Sequence, residues 1–251
     1  MYTTNSDANI KVEYNVNETW QTEAPIHAGT YEVRVSVSEN GDFTAASDTK
    51  AYTIRQREVV ISGITAKGKV YDGTADAELD YSKAVFAGAV KGDSLTVSAE
   101  GTFADSNAAK GKTVTITKPV LGGGSAGDYI LADNGQQTST TADISPKEIT
   151  VTAGNKNKIA GKADPVLTYT AKGLVGKDTL SGITVRRKAG EKAGIYPITV
   201  SQASGSNPNY RITFRKGIFT IEQADQSKLS GKAVYRLKLP IFFATGKAHR
   251  G

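Results

Sequence analysis

The sequence predicts a mostly β protein: an elongated array of tandem small antiparallel modules, each β-grasp-like or immunoglobulin-like. Three observations predict it. Apolar residues recur with period two, as half-buried strands require. Gly and Asn/Asp clusters punctuate those runs in the way hairpin connections prefer. One layout of strands occurs three times, the mark of a repeat array. No segment sustains an apolar stripe at helical spacing over a dozen residues, and Lys83–Val90 and Lys177–Ser181 have room for one or two helical turns.

The first copy of the layout runs through Ala28–Val37, Asp42–Phe43 and Ala51–Glu58. The second uses Lys110–Thr117, Asp128–Leu131 and Ala142–Glu148, and the third Ala193–Val200, Asn209–Phe214 and Ile218–Gln223. Each is a Gly-led alternating strand, a polar loop, a strand opening on an aromatic residue, and a closing strand before a charged linker. In the first, Tyr31, Val33, Val35 and Val37 alternate with Thr30, Glu32, Arg34 and Ser36, which puts the apolar set on one face. Asn40–Gly41–Asp42 and Asp133–Asn134–Gly135 read as hairpin connections. These landmarks divide the chain into modules at 1–56, 57–147 and 148–223, followed by an atypical basic tail at 224–251. The first module has far fewer residues ahead of its Gly-led strand and is expected to be partial, with two strands and the only Trp in Asn9–Pro25.

Composition narrows the function. With 251 residues and 38% apolar side chains, several small cores are expected rather than one deep one. The absence of Cys excludes disulfides, thiolate zinc sites and cysteine nucleophiles. Only His27 and His249 are available for imidazole chemistry. No apolar run is long enough to span a membrane. Met1–Ile10 lacks the basic start and apolar stretch of a secretory signal, so either the protein stays inside the cell or the chain is a fragment of a longer secreted one, and the repeats favour the fragment. The net charge of +6 is uneven: the third module carries 12 basic and 5 acidic side chains, the tail 6 and 1, and the first two modules are net acidic. Specific nucleic-acid binding is therefore not expected, and any electrostatic role falls on the third module.

Lys69–Leu79, KVYDGTADAEL, resembles the signature of the YDG domain, a repeat of large bacterial surface proteins. Asp164–Val200, with NYRITF and GIFTIE beyond it, is similar to the MBG domain. That domain usually opens on Lys-x-Tyr-Gly-x-x-Asp-Pro; Lys158–Pro165 keeps the Lys, Gly, Asp and Pro but has Ala160 in the Tyr position. Ala24–Ala46 resembles the last part of another such repeat. The resemblance implies an exported, adhesin-like protein at the bacterial surface, with non-enzymatic modules that act as stalk or present a ligand.

Several residue groups invite a chemical reading. Gly122–Gly127 fits G-x-G-x-x-G, yet the strand-like Asp128–Leu131 follows where a dinucleotide site needs a helix, so a hairpin loop is expected and no cofactor. Asp72, Asp76, Glu78 and Asp80 lack EF-hand spacing, and a row on one strand does not supply the facing pair of a glycosidase; a solvated edge is expected, with no metal. Tyr71–Asp72–Gly73 reads as a structural turn in which Tyr71 packs inward, Asp72 bonds the backbone two residues on, and Gly73 takes positive φ. Asp164–Pro165 reads as a similar device. Asn17–Glu18–Thr19 is a glycosylation sequon that a bacterial protein leaves unused, and His27 reads as a solvated loop residue.

Arg186, Arg187, Lys188, Lys192, Arg211, Arg215 and Lys216 form the densest basic set, a candidate site for a polyanion or a host or envelope glycan. Tyr210 and Phe214 lie nearby as core candidates. In the tail, Leu239–Pro240 and Thr245–Gly246 are too far apart for a sorting signal, and Tyr235–Phe243 has the pattern for one more strand. The expected function is a non-enzymatic surface stalk or spacer with a part in adhesion, whose partners are neighbouring repeats and envelope or host glycans. The alternative is a polyanion- or glycan-binding module centred on the third repeat.

Overall fold

The alternation that marks Thr30–Val37 lies in a nine-residue strand paired on both sides. The structure is a computed structural model that describes residues 9–41 and 43–224. Strands β1 (Ile10–Val16), β2 (Thr19–Gln21), β3 (Gly29–Val37) and β4 (Ala46–Ile54) form one antiparallel sheet in the order β2-β1-β3-β4. Asn17 and Glu18 take φ of 52° and 64° between β1 and β2, the positive values a two-residue hairpin turn needs. The sequon thus sits in a tight turn. β3 and β4 pair without a register break from Gly29↔Ile54 to Val37↔Ala46, so Asn40 and Gly41 do lie in a hairpin connection, while Asp42 lies outside the described residues.

The second module contains β5 (Arg57–Ser62), β6 (Thr65–Ala66), β7 (Lys69–Val70), β8 (Asp76–Ala77), β9 (Leu79–Asp80), β10 (Val85–Ala87), β11 (Thr96–Phe103), β12 (Ala109–Gly122), β13 (Tyr129–Leu131) and β14 (Ser139–Ser145). A five-stranded sheet, β7-β14-β12-β11-β8, is joined by the three-stranded β10-β5-β13 and the pair β6-β9. Both larger sheets feed the core: Val114, Phe103 and Ile144 from one, Val59, Ile61 and Tyr129 from the other, all at most 3% exposed.

The third module is made of β15 (Lys147–Ala153), β16 (Lys156–Ile159), β17 (Tyr169–Lys172), β18 (Ile183–Arg187), β19 (Gly194–Gln202), β20 (Tyr210–Arg215) and β21 (Gly217–Glu222). Its sheets are β17-β15-β20 and β16-β21-β19-β18. Alternate residues of β15 (Ile149, Val151, Ala153) and of β19 and β21 (Ile198, Val200, Phe219, Ile221) are buried, the pattern of two half-buried layers. The chain divides into two compact units, Met1–Lys147 with Pro208–Arg211, and Glu148–Asn207 with Ile212–Gly251.

The fold is nearly all β and mostly antiparallel, as the periodicity predicts. Several local expectations need correction. Pairs β5/β13, β7/β14 and β16/β21 are parallel. Asp133–Gly135 and Gly122–Gly127 are not hairpins, because β13 pairs with β5 while its chain neighbours β12 and β14 pair with each other. Both loops carry the chain between sheets. Lys83–Val90 holds β10 and Lys177–Ser181 a turn; the one helix among the described residues is a 3-10 turn, Ala126–Asp128. Phe43 opens no strand and makes an isolated bridge with Asn40. The strand expected in Tyr235–Phe243 and the sorting-signal residues lie outside the described residues.

Candidate functional site

Tyr71–Asp72–Gly73 forms the turn its residues predict. Gly73 has φ +84°, a value that disfavours any side chain. Asp72 Oδ1 accepts from the Thr74 amide at 2.8 Å and its hydroxyl at 2.9 Å, and Tyr71 is buried. Lys69 Nζ donates to both Asp72 oxygens, at 3.0 and 3.2 Å, and to the Thr74 carbonyl at 2.9 Å. The Thr74 amide, followed by Lys69, lowers the Asp72 carboxyl from 3.8 to about 2. A carboxylate held so firmly in its ionised, hydrogen-bonded form is a poor proton acceptor at neutral pH. The adjoining groove of about 580 Å³ is lined by Lys67, Lys69, Asp72, Asp76 and Glu78, and there Lys67 pairs with Glu78 at 2.5 Å. Asp76 and Glu78 face solvent as expected, but the strand that carries them is broken: β8 pairs with β11 and β9 with β6. Among the described residues no group of three or more His, Asp or Glu is placed to hold a metal ion.

Asp164 departs from the expected turn role. Its carboxylate receives Arg187 Nε at 2.5 Å and Nη2 at 3.0 Å, the bidentate geometry that guanidinium and carboxylate favour, and Lys158 Nζ at 2.7 Å. Glu191 completes the ring, bonding Arg187 Nη2 at 2.6 Å and also Lys158. Arg187 Nη1 donates to the carbonyls of Lys188 and Gly190, at 3.0 and 2.7 Å. All five guanidinium donors are therefore used. Arg187 and then Lys158 hold the Asp164 carboxyl down at about 2, while Asp164 and Glu191 raise Lys158. Lys158 and Asp164 stood out in the sequence as the Lys and Asp of the opening motif, but Glu191 did not, and nothing there showed that the three meet.

The basic set consequently splits. Arg187, its side chain only 10% exposed, is committed inside the third module. Arg186, Lys188, Lys192, Arg211, Arg215 and Lys216 are exposed. They lie on two sheets: Arg186 on β18, Arg211 and Arg215 on β20. Tyr210 is buried and Phe214 half-buried, in keeping with core roles.

His27 is not simply solvated. Its Nδ1 lies 2.8 Å from Asp128 Oδ2, and Asp128 Oδ1 accepts from the Ala28 amide at 2.6 Å. His27 and then the Ala28 amide lower the Asp128 carboxyl. Beside this pair is a cleft of about 280 Å³ lined by Ile26, Arg55, Arg57, Asp93 and Tyr129, where the Tyr129 hydroxyl donates to Asp93 and accepts from the Val90 amide. The 101-residue separation hid the pair from sequence reasoning.

These constellations coincide with domain signatures. The family profile of the YDG domain matches residues 53–142, and that of the MBG domain, YGX type, matches 149–220. The chain carries a YDG domain and an MBG domain in tandem. A search of curated proteins returns no match. In the YDG domain the signature residues Tyr71, Asp72 and Gly73 build one turn. In the MBG domain the opening motif supplies Lys158 and Asp164, which bond each other, and Ala160 in the Tyr position joins the turn through its amide to Glu222 O at 2.8 Å. No helix of the described residues is long and apolar enough to cross a membrane.

Proposed function

We propose that the chain is part of a bacterial cell-surface or secreted protein. Its tandem β domains serve as a stalk or spacer and contribute to adhesion, without enzymatic activity of their own. The observation that carries this reading is that the signature side chains of both domains act on the fold itself. Asp72 ties a turn, and Lys158, Asp164, Arg187 and Glu191 satisfy one another. Such residues define a repeat by holding it together, which suits modules whose task is to be connected in series. Small-angle scattering on the 251-residue chain tests the spacer role. A radius of gyration well above the about 18 Å of a compact chain of this length is expected, and a value at that figure would sink it. Protease shaving of intact cells that make the full-length protein tests location: peptides from 57–223 should be released.

A second reading, a polyanion- or glycan-binding surface on the MBG side, is favoured by the exposed Arg186, Lys188, Lys192, Arg211, Arg215 and Lys216. Retention on a heparin column that falls with salt, and falls further in Arg186→Glu with Lys188→Glu, would support it. Retention unchanged by those substitutions would count against it.

A further inference from the structure

One hydrogen-bond pattern occurs twice in the chain, about a hundred residues across each time. The Asp128 carboxylate accepts from the Ala28 amide at 2.6 Å, and its other oxygen lies 2.8 Å from His27 Nδ1. Asn209 Oδ1 accepts from the Ala108 amide at 2.8 Å, and Asn209 Nδ2 donates to Asn107 at 3.0 Å. In both cases the side chain holds an alanine amide and the residue just before that alanine. Pro208–Arg211 belongs to the compact unit that contains Ala108, so both bonds lie within one unit. Asp128 and Asn209 each stand immediately before the tyrosine that opens a strand, Tyr129 in β13 and Tyr210 in β20.

Sheet register makes Ala28 and Ala108 equivalent and adds Ala193 as a third. The residue after each pairs with an isoleucine of the closing strand: Gly29 with Ile54, Ala109 with Ile144, Gly194 with Ile221. The Tyr196 hydroxyl donates to the Lys192 carbonyl at 2.9 Å, as Tyr31 does to that of His27 at 3.0 Å. The first and third corners are thus built alike, but their occupancy differs. Ala28 and Ala108 are half-buried, whereas Ala193 is exposed and nothing among the described residues accepts from its amide. Lys192, also exposed, takes the place of His27 and Asn107. An ammonium beside a free amide is best answered by a carboxylate, which accepts from both.

We infer that Lys192–Ala193 is the donor half of a third joint, made to receive an Asp that precedes a Tyr-led strand in another repeat of this kind. Chain continuity delivers that Asp. Tyr129 is in register with Arg57, which comes three residues after Ile54. Lys147 comes three residues after Ile144, and its amide donates to the Asn209 carbonyl at 2.9 Å. A repeat that starts three residues after Ile221 therefore brings its Asp to the Ala193 corner. The joint rests on the spacer reading only for the presence of a neighbour. A compact chain in scattering would remove the spacer role and leave the bonds at Ala28 and Ala108 in place.

Amide hydrogen exchange followed by NMR tests the joint. In the full chain, Ala28 and Ala108 should exchange slowly and Ala193 as an open amide. Asp128→Ala should speed Ala28 roughly tenfold and leave Ala108 unchanged, and Asn209→Ala should do the reverse. Asp128→Asn, which keeps an acceptor, should retain most of the protection. In the deciding variant residues 57–223 occur twice in succession within the full chain, so the second Arg57 stands three residues beyond the first Ile221. One of its two Ala193 amides should slow roughly tenfold while the other stays open, and Asp128→Ala in the second copy should abolish the difference. Protection of Ala193 in the unextended chain, two open Ala193 amides in the extended one, or a difference that survives Asp128→Ala would each overturn the proposal. So would a second copy that fails to fold, read from its own Ala108, because chain continuity would then not suffice to form the joint.

Discussion

The guanidinium carbon of Arg187 lies 4.8 Å from the centre of the Phe219 ring, so a permanent positive charge rests on the largest fully buried side chain of the MBG domain. Arginine alone combines the planar stacking surface with five donors in a fixed fork. Arg187→Lys is therefore expected to lower the thermal midpoint of the MBG domain, and Arg187→Met to lower it further by leaving Asp164 and Glu191 without their shared partner. Differential scanning calorimetry gives the order. Heparin retention should be nearly unchanged in Arg187→Lys, because that side chain is already committed.

Phe219 itself is fully buried, whereas its neighbour Ile218 is 49% exposed. Phe219→Ala should cost about 3–5 kcal/mol through lost burial and the cavity left behind. Ile218→Ala should stay within about 0.5 kcal/mol. Urea unfolding midpoints at constant slope check both.

Acid should loosen both domains over a defined window. Asp72 and Asp164 have carboxyls lowered from 3.8 to about 2 in the fold. A group depressed in this way gives stability that is complete above its unfolded value and lost as pH falls through the folded one. The loss therefore falls between about pH 4 and about pH 2. Asp164→Asn should flatten the pH dependence of the MBG transition across that window and leave the YDG transition alone. Thermal midpoints followed by tyrosine circular dichroism from pH 7 downward read the difference.

Gly73→Ala should destabilise the YDG domain by about 1–2 kcal/mol, the cost of a β-carbon in a left-handed backbone. Asp72→Asn, which keeps an acceptor for the Thr74 amide, should be milder than Asp72→Ala. Equal losses in the two Asp72 variants, measured by urea titration, would show that the turn does not depend on that hydrogen bond.

Much of the fold was legible because period-two alternation belongs to a single strand. Lys112–Thr117 and Tyr196–Val200 reveal their buried faces with no knowledge of their neighbours, whereas the apolar face of Thr30–Val37 is only half-buried. The Tyr71–Asp72–Gly73 turn was legible for a similar reason, since its side-chain bonds, from Lys69 to Thr74, close within five residues. Strand partners were not. Asp133–Asn134–Gly135 has hairpin chemistry, yet β13 turns away to lie parallel to β5, 72 positions earlier. The charged ring failed in the same way: Asp164 was visible as a motif residue, but its role is set by Lys158 and by Arg187, which reaches it only once β18 is in place. His27 and Asp128 show the limit most plainly, being unremarkable residues apart and a hydrogen-bonded pair together.

The parallel pairing of β16 with β21 has a consequence for how the MBG domain can be completed. β16 stands at the edge of its sheet, and β21 is its sole neighbour there. A chain emerging amino-terminus first from a ribosome or an export channel presents Lys156–Ile159 long before Gly217–Glu222 arrives. Until then the early strand has nothing to add to. The last six-residue strand closes the sheet, so the domain cannot finish in stages, and its assembly waits on the end of its own sequence.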